Sequence, residues 1–136
     1  MPTAPEHIHR SCRALPESVG ELRRTAVDFA RSHGAPASLL HDIALAVSEA
    51  TSNAVLHAYR DGDGPGHIHL EAHARPSLLD IRVIDDGRGM TPRVDSPGAG
   101  LGLPIIARVT DGLEVLSDTG TAIIMSFALA GAHAGD

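Results

Sequence analysis

Two stretches in the N-terminal half repeat apolar residues at every third or fourth position, which is the spacing of one helix face. In the first stretch these residues are Val19, Leu22, Ala26 and Phe29. In the second they are Leu39, Leu40, Ile43, Val47 and Ala54. The first begins at Pro16, which suits an opening helical turn, and ends before Gly34, so the pattern predicts helices over residues 16–33 and 37–59.

Strict alternation of apolar and polar residues follows, and this is typical of half-buried strands. The apolar members are Ile68, Leu70, Ala72 and Ala74 in one strand, and Leu79, Ile81 and Val83 in the next. A turn at residues 75–77 joins the two strands, and the second ends at Asp85. We also predict a strand at 9–15, a short helix at 101–109 and a closing hairpin at 113–117 and 121–129.

This order of one strand, two helices, two strands, one helix and two strands predicts the α+β class. We expect a two-layer sandwich in which helices cover one face of a mixed, mostly antiparallel sheet. The order differs from the alternating strands and helices of a dinucleotide-binding fold. The 136 residues suit one domain at residues 9–130, between a disordered tail at 1–8 and a flexible tail at 131–136.

Composition narrows the class of function. The net charge of −6 argues against a nucleic-acid-binding module. No apolar run approaches the ~20 residues of a membrane span and no signal pattern is present, so we expect a cytoplasmic protein without a membrane partner. Lysine is absent, so a bound phosphate would need a metal, backbone amides, a helix N-terminus or arginine. The nine histidines include close pairs, but no third ligand stands nearby in sequence, so we expect no structural metal.

Polar side chains with candidate chemistry occur in two of the predicted elements. Glu49, Asn53 and His57 are four residues apart and share one helix face, which is either a solvated surface or a ligand site. Asp85 ends a strand and precedes two glycines, Gly87 and Gly89, in a pattern that suits a plain acidic turn or a close approach of the backbone to a ligand.

A glycine run precedes the predicted short helix. It contains Gly98, Gly100 and Gly102, with Leu101 between the last two. Backbone amides at a helix N-terminus attract anions, and glycine leaves room for a phosphate to approach. Together with the carboxylate, the amide and the acidic turn, this run predicts a nucleotide site, with residues 90–97 as a lid.

These segments, in this order and followed by Gly120 and Thr121, resemble the GHKL family of ATPases and kinases. Within it, the chain is most similar to the bacterial anti-sigma factor serine/threonine kinases. The resemblance implies the Bergerat ATP-binding fold, with ATP and Mg²⁺ as cofactors. It implies that Asn53 coordinates Mg²⁺, that Glu49 acts as general base, and that Asp85, assisted by Thr121, accepts a hydrogen bond from adenine. The other nucleotide-binding positions that it implies are His57, Gly87, Gly89, Gly98, Gly100, Leu101 and Gly102.

The function implied by this resemblance is that of an ATP-binding kinase that sequesters a sigma factor and phosphorylates a serine or threonine of an anti-anti-sigma partner of the STAS type. A homodimer is compatible with it. Two alternatives stay open. A non-catalytic ATP-binding regulatory module would carry the same residues without needing Glu49. A histidine-kinase-like catalytic domain is disfavoured because the sequence contains no phosphoacceptor helix pair and no sensor.

Overall fold

The computed structural model describes residues 4–60, 66–86, 102–117 and 120–129, apart from the side chains of residues 57–60 and 102. The elements in chain order are β1 (His7–Arg13), α1 (Pro16–Ser32), α2 (Ala37–Arg60), β2 (His67–Arg75), β3 (Leu78–Asp85), α3 (Gly102–Val109), β4 (Gly112–Ser117) and β5 (Thr121–Ala128). Each predicted helix and strand is present. None of the helices in this part of the chain combines the length and apolarity needed to cross a membrane.

The five strands form one sheet in the order β1-β2-β3-β5-β4, and every described pair of neighbours is antiparallel. The α+β class and the two layers are confirmed, but the expectation of a mixed sheet is wrong. Two helices join β1 to β2, so the chain returns in the opposite direction. A single helix joins β3 to β4, which makes those two strands parallel, but β5 lies between them.

The hydrophobic core lies between the helices and one face of the sheet, which we call the covered face. Alternate residues of β2, β3 and β5 are buried there: Ile68, Leu70, Ala72, Leu79, Ile81, Val83, Ile123, Met125 and Phe127. The intervening residues form the other side, which we call the open face. α1 packs on α2, and α2 packs on α3, β3 and β5. The apolar helix positions found by spacing, such as Leu22, Phe29, Ile43 and Val47, are buried against this face.

β1 begins two residues earlier than the sequence pattern predicts. His7 and Ile8, which we assigned to the N-terminal tail, pair with the end of β2. The N–H of Ala74 also donates to the carbonyl oxygen of Glu6 at 2.7 Å. β2 continues to Arg75, so its backbone groups need partners along this length, and Ile8 adds an apolar contact with the core. The predicted tail at 131–136 lies outside the described residues.

Candidate functional site

The C-terminal half of α2 carries the first predicted segment. Asn53 is buried, with 7% of its surface exposed, and Glu49 is half-buried one turn earlier. Ala50 and Ala54 beside them belong to the core, so the Asn53 amide lies at the margin of the core. A buried amide is costly unless it is paired, and Asn53 does interact with another group of the chain. A solvated helix face therefore does not describe this residue.

Asp85 lies where β3 ends, and it is paired in register with Thr121, the first residue of β5. Both continue the alternation of Val83 and Ile123, so both belong to the covered face. Asp85 is half-buried and Thr121 is buried. A carboxylate and a hydroxyl thus stand on adjacent strands at the point where the apolar row of this face ends.

Gly120 brings the start of β5 close to β3. A Cβ atom at this position would lie 2.2 Å from the backbone oxygen of Asp85, a distance that no side chain tolerates. The sequence analysis identified Gly120 only through the family resemblance. The structure explains why this residue is a glycine, since any Cβ atom would collide with β3. The close approach fixes the position of Asp85 relative to Thr121.

The C-terminal end of α2 lies at the same end of the sheet as Asp85. Residues 61–66 separate Arg60 from His67, and a link of this length spans at most about 25 Å. The next residue, Ile68, is paired directly with Asp85. Measured along the strands from His67, the far end of β3 is about 27 Å away. A link of at most about 25 Å, which must also cross from the helix layer to the sheet, cannot reach a helix end placed there. α2 also packs on β3 and β5, the two strands that carry Asp85 and Thr121.

A surface pocket of about 570 Å³ opens at this end of the sheet. It is lined by Asp85, Gly120 and Thr121 together with neighbouring residues that lie mainly on the open face, namely His69, Ile84, Asp86, Leu116 and Ala122, whereas Glu49 and Asn53 are not part of its lining. Its volume is in the range of small-molecule sites. The sequence analysis did not identify the open-face members, although strand alternation places Ile84 and Ala122 as apolar residues on the outer side.

Asp86 fixes the backbone next to Asp85. Its carboxylate accepts a hydrogen bond from the N–H of His67 at 2.8 Å, and its second oxygen is 3.6 Å from the Nδ1 atom of the His67 ring. The backbone N–H of Asp86 donates in turn to the carbonyl oxygen of His67 at 3.2 Å. The start of β2 is thereby joined to the end of β3.

Several predicted positions cannot be compared with the structure. Gly87, Gly89, Gly98, Gly100 and Leu101 lie outside the described residues, and so does the predicted lid at residues 90–97. His57 is part of α2, but its side chain is outside the description. Gly102 is the first residue of α3, where the glycine run was expected to open a helix.

Three titratable groups with shifted pKa values, Arg10, Cys12 and Glu21, lie where β1 contacts α1, two strands away from Asp85. The Cys12 thiol donates to the Glu21 carboxylate at 2.8 Å, and Arg10 forms an ion pair with the same carboxylate. The bond from Cys12 and then that from Arg10 lower the pKa of Glu21. Burial, followed by the contact with Glu21, raises the pKa of Cys12. This cluster fastens the edge strand to the first helix.

The fold and the grouping of these polar residues agree with a family of nucleotide-binding domains. The family model described as the histidine kinase-like ATPase domain matches residues 12–127, and this chain belongs to that family. The resemblance to GHKL proteins is thereby confirmed, and ATP is the ligand that the family name states.

Curated relatives are similar along most of the chain. The serine-protein kinase RsbW of Halalkalibacterium halodurans is 31% identical over 137 residues, which is 90% of this chain and 83% of the relative. The serine-protein kinase RsbW of Bacillus subtilis is 30% identical over 136 residues, or 89% of this chain and 84% of the relative.

Solved structures show the same architecture. The RsbU and RsbW domains of a Mycobacterium tuberculosis protein match 92% of this chain with a TM-score of 0.73 and 22% identity, although the match covers only 33% of that chain. The histidine kinase domain of a blue-light activated histidine kinase from Erythrobacter litoralis matches 85% of this chain and 61% of its own, with a TM-score of 0.60 and 27% identity. These likenesses confirm the expected fold.

Proposed function

We propose that this chain is an ATP-dependent serine/threonine-protein kinase of the anti-sigma factor type. In this proposal it sequesters a sigma factor in the cytoplasm and phosphorylates a serine or threonine of a STAS-type anti-anti-sigma protein, without direct contact to nucleic acid. The observation that supports the proposal is that Asn53 and Glu49 lie in the C-terminal half of α2, the helix that packs on the two strands carrying Asp85 and Thr121. The names of the curated relatives, all serine-protein kinases, support the type of reaction.

The donor atoms in this region suit ATP with Mg²⁺. Mg²⁺ prefers oxygen ligands, and Asn53 offers an amide oxygen with the Glu49 carboxylate one turn away. Asp85 offers a carboxylate that accepts a hydrogen bond from the exocyclic amine of adenine. Guanine carries an oxygen at that position and would be rejected. When bound, ATP with Mg²⁺ supplies the phosphoryl group that is transferred.

Glu49 is the side chain that we assign to proton transfer. A half-buried carboxylate on the helix face that also carries Asn53 is suited to accept the proton of a partner's serine hydroxyl, provided that it lies within hydrogen-bond reach. With no lysine in the chain, compensation of phosphate charge is left to Mg²⁺, to arginine and to backbone amides such as those that open α3 at Gly102.

A non-catalytic ATP-binding regulator is the second candidate, because it would carry the same ATP-binding residues and would differ only in not needing Glu49 for its function. A histidine-kinase-like catalytic domain is the third candidate, and the structural likeness to the Erythrobacter litoralis kinase domain supports it. In this candidate the phosphoryl group would go to a histidine, so the chemical stability of the phosphorylated product separates it from the first. A homodimer is compatible with all three.

The decisive experiment measures Mg²⁺-dependent ATP binding by calorimetry and γ-phosphate transfer to a candidate STAS-type protein in the same samples. Glu49→Gln should keep binding and lose transfer by about 10²–10⁴-fold, the usual contribution of a general base. Asn53→Ala should lose the Mg²⁺-dependent part of binding. Asp42→Asn is the matched control, because it removes a carboxylate from the N-terminal half of the same helix and should change neither quantity.

The outcomes separate the candidates. Transfer that is lost only in Glu49→Gln and Asn53→Ala supports the kinase. ATP binding without transfer to any STAS-type protein, with sigma-factor binding unchanged in Glu49→Gln, favours the regulatory module. An acid-labile phosphorylated product favours the histidine-kinase-like reaction. Full transfer by Glu49→Gln would remove this residue from the role of base.

A further inference from the structure

Histidine side chains gather on the open face, over the β1–β2 pair. His9 is paired with Glu71 and Ser11 is paired with His69, so His9 and His69 are diagonal neighbours on adjacent strands. Their rings are stacked, with centroids 5.4 Å apart and planes 21° apart. This placement brings together two residues that are 60 positions apart in the chain.

The Nε2 atom of His9 lies 3.3 Å from the Nδ1 atom of His69. At this distance the N–H of one neutral ring can donate to the lone pair of the other, and a cation can take the place of that proton when both nitrogens present lone pairs. Nitrogens bound to one tetrahedral zinc ion, each at about 2.0–2.1 Å, lie about 3.3 Å apart. The separation therefore suits both a hydrogen bond between the two rings and a metal ion shared by them.

We propose that His9 and His69 form a two-histidine chelate for a divalent transition metal of the zinc, nickel or copper class. Imidazole is a preferred ligand of these ions, and both side chains are accessible to solvent. Among the described residues, no group of three or more His, Cys, Asp or Glu side chains is placed to hold a metal ion. Water molecules complete the coordination, so the site is exchangeable and is distinct from the proposed Mg²⁺ site at Asn53.

The hydroxyl of Ser11 lies beside both ring nitrogens, 2.8 Å from His69 Nδ1 and 3.4 Å from His9 Nε2. In the metal-free protein the tautomers of the two rings decide which group donates, and the single hydrogen of the Ser11 hydroxyl can be given to only one of the two nitrogens. The bound ion replaces this hydrogen bond. Since β1 is an edge strand, an ion held by His9 and His69 also joins that edge to β2.

The test is a titration of the purified full chain with ZnCl₂ by calorimetry, without ATP or Mg²⁺. We expect one zinc ion per chain. His9→Ala and His69→Ala should each weaken binding at least about tenfold, because even the loss of a residue that only orients a ligand has an effect of about 10–100-fold. The matched controls are His7→Ala and His73→Ala. These rings face each other on the same two strands, but their centroids are 6.0 Å apart and their planes are tilted by 59°.

A second readout is independent of nucleotide and activity. Zinc should raise the melting temperature of the wild-type chain and of the two control variants, and EDTA should reverse this, because an ion that binds only the folded state stabilises it. His9→Ala and His69→Ala, folded as judged by circular dichroism, should show no such rise. The proposal is overturned by equal zinc binding in all four variants, by loss in the controls instead, or by one zinc ion per two chains with a doubled mass in sedimentation.

Discussion

The two faces of the sheet show how one alternating pattern can serve two purposes. On the covered face, residues such as Ile81 and Met125 are buried under the helices, and in the described β3 and β5 polar side chains appear on this face only at one end, at Asp85 and Thr121. On the open face, histidine, acidic and arginine side chains alternate with these core residues. The covered face thus combines stability with a polar margin suited to a ligand, whereas the open face is free to carry surface chemistry.

The strongest test of this contrast uses two neighbouring isoleucines of β5. Ile123 is buried on the covered face, and Ile124 is half-buried on the open face. Ile123→Ala should lower the free energy of unfolding by about 2–5 kcal/mol, because it leaves a cavity in the core. Ile124→Ala should cost about 1 kcal/mol or less. Urea unfolding measures both, and equal losses would show that something also covers the open face.

A second test addresses the polar margin of the covered face. Gly120→Ala should cost about 1–3 kcal/mol, because the added Cβ collides with the backbone of Asp85 and pushes β5 away from β3. It should also weaken ATP binding, which calorimetry measures. The matched control is Gly112→Ala in β4, where a Cβ would lie 3.4 Å from Ser126 in ordinary contact. If Gly120→Ala bound ATP as the wild type does, the spacing of Asp85 and Thr121 would not matter for the ligand.

The third test concerns the edge of the covered face, where Glu21 contacts Cys12 and Arg10. The pKa of Glu21 is lowered in the folded state, so the stabilisation is present above its ordinary value of 4.5 and is lost as the pH falls through the lowered pKa. Urea unfolding between about pH 3 and 6 should therefore show a steeper acid loss for the wild type than for Glu21→Gln. Parallel pH profiles would contradict this assignment.

The same cluster can be followed through the thiol. Cys12 is the only cysteine of the chain, so alkylation by iodoacetamide reports on this position alone. Because burial and the Glu21 contact hold the pKa of Cys12 above its ordinary value of 9.0, alkylation at neutral pH should be slower than for a free cysteine. Glu21→Gln should accelerate it, whereas Glu17→Gln, in the first turn of the same helix, should not.

Much of the fold was predictable because its signals are local. The spacing of Leu22, Phe29, Ile43 and Val47 placed both long helices, and alternation placed β2 and β3. The two wrong predictions, the start of β1 and the mixed sheet, concern features that depend on pairing between strands distant in sequence. His7 and Ile8 join β1 because β2 extends far enough to pair with them, and the sheet is antiparallel because β5 lies between β3 and β4.

The candidate site also has a part that the sequence predicted and a part that only the structure shows. Glu49, Asn53 and Asp85 were identified from spacing and resemblance, and the structure packs the helix that carries Glu49 and Asn53 on the strand that ends at Asp85. It adds what sequence could not provide, namely the burial of Asn53, the pairing of Asp85 with Thr121 and the contact that requires Gly120. The roles of these residues in binding and transfer stay predictions. So do those of the glycines at 87, 89, 98 and 100, which lie outside the described residues.

The sequence by itself determined the order and approximate position of the elements and which face of a helix or strand each side chain takes. The direction of the side chains repeats every 3.6 residues in a helix and every 2 residues in a strand, so it can be derived without knowing which element packs against it. Only the tertiary structure decided which faces meet, because strand order and register depend on contacts that bury the whole core at once. Asp85 beside Thr121, and His9 against His69, are results of that long-range pairing.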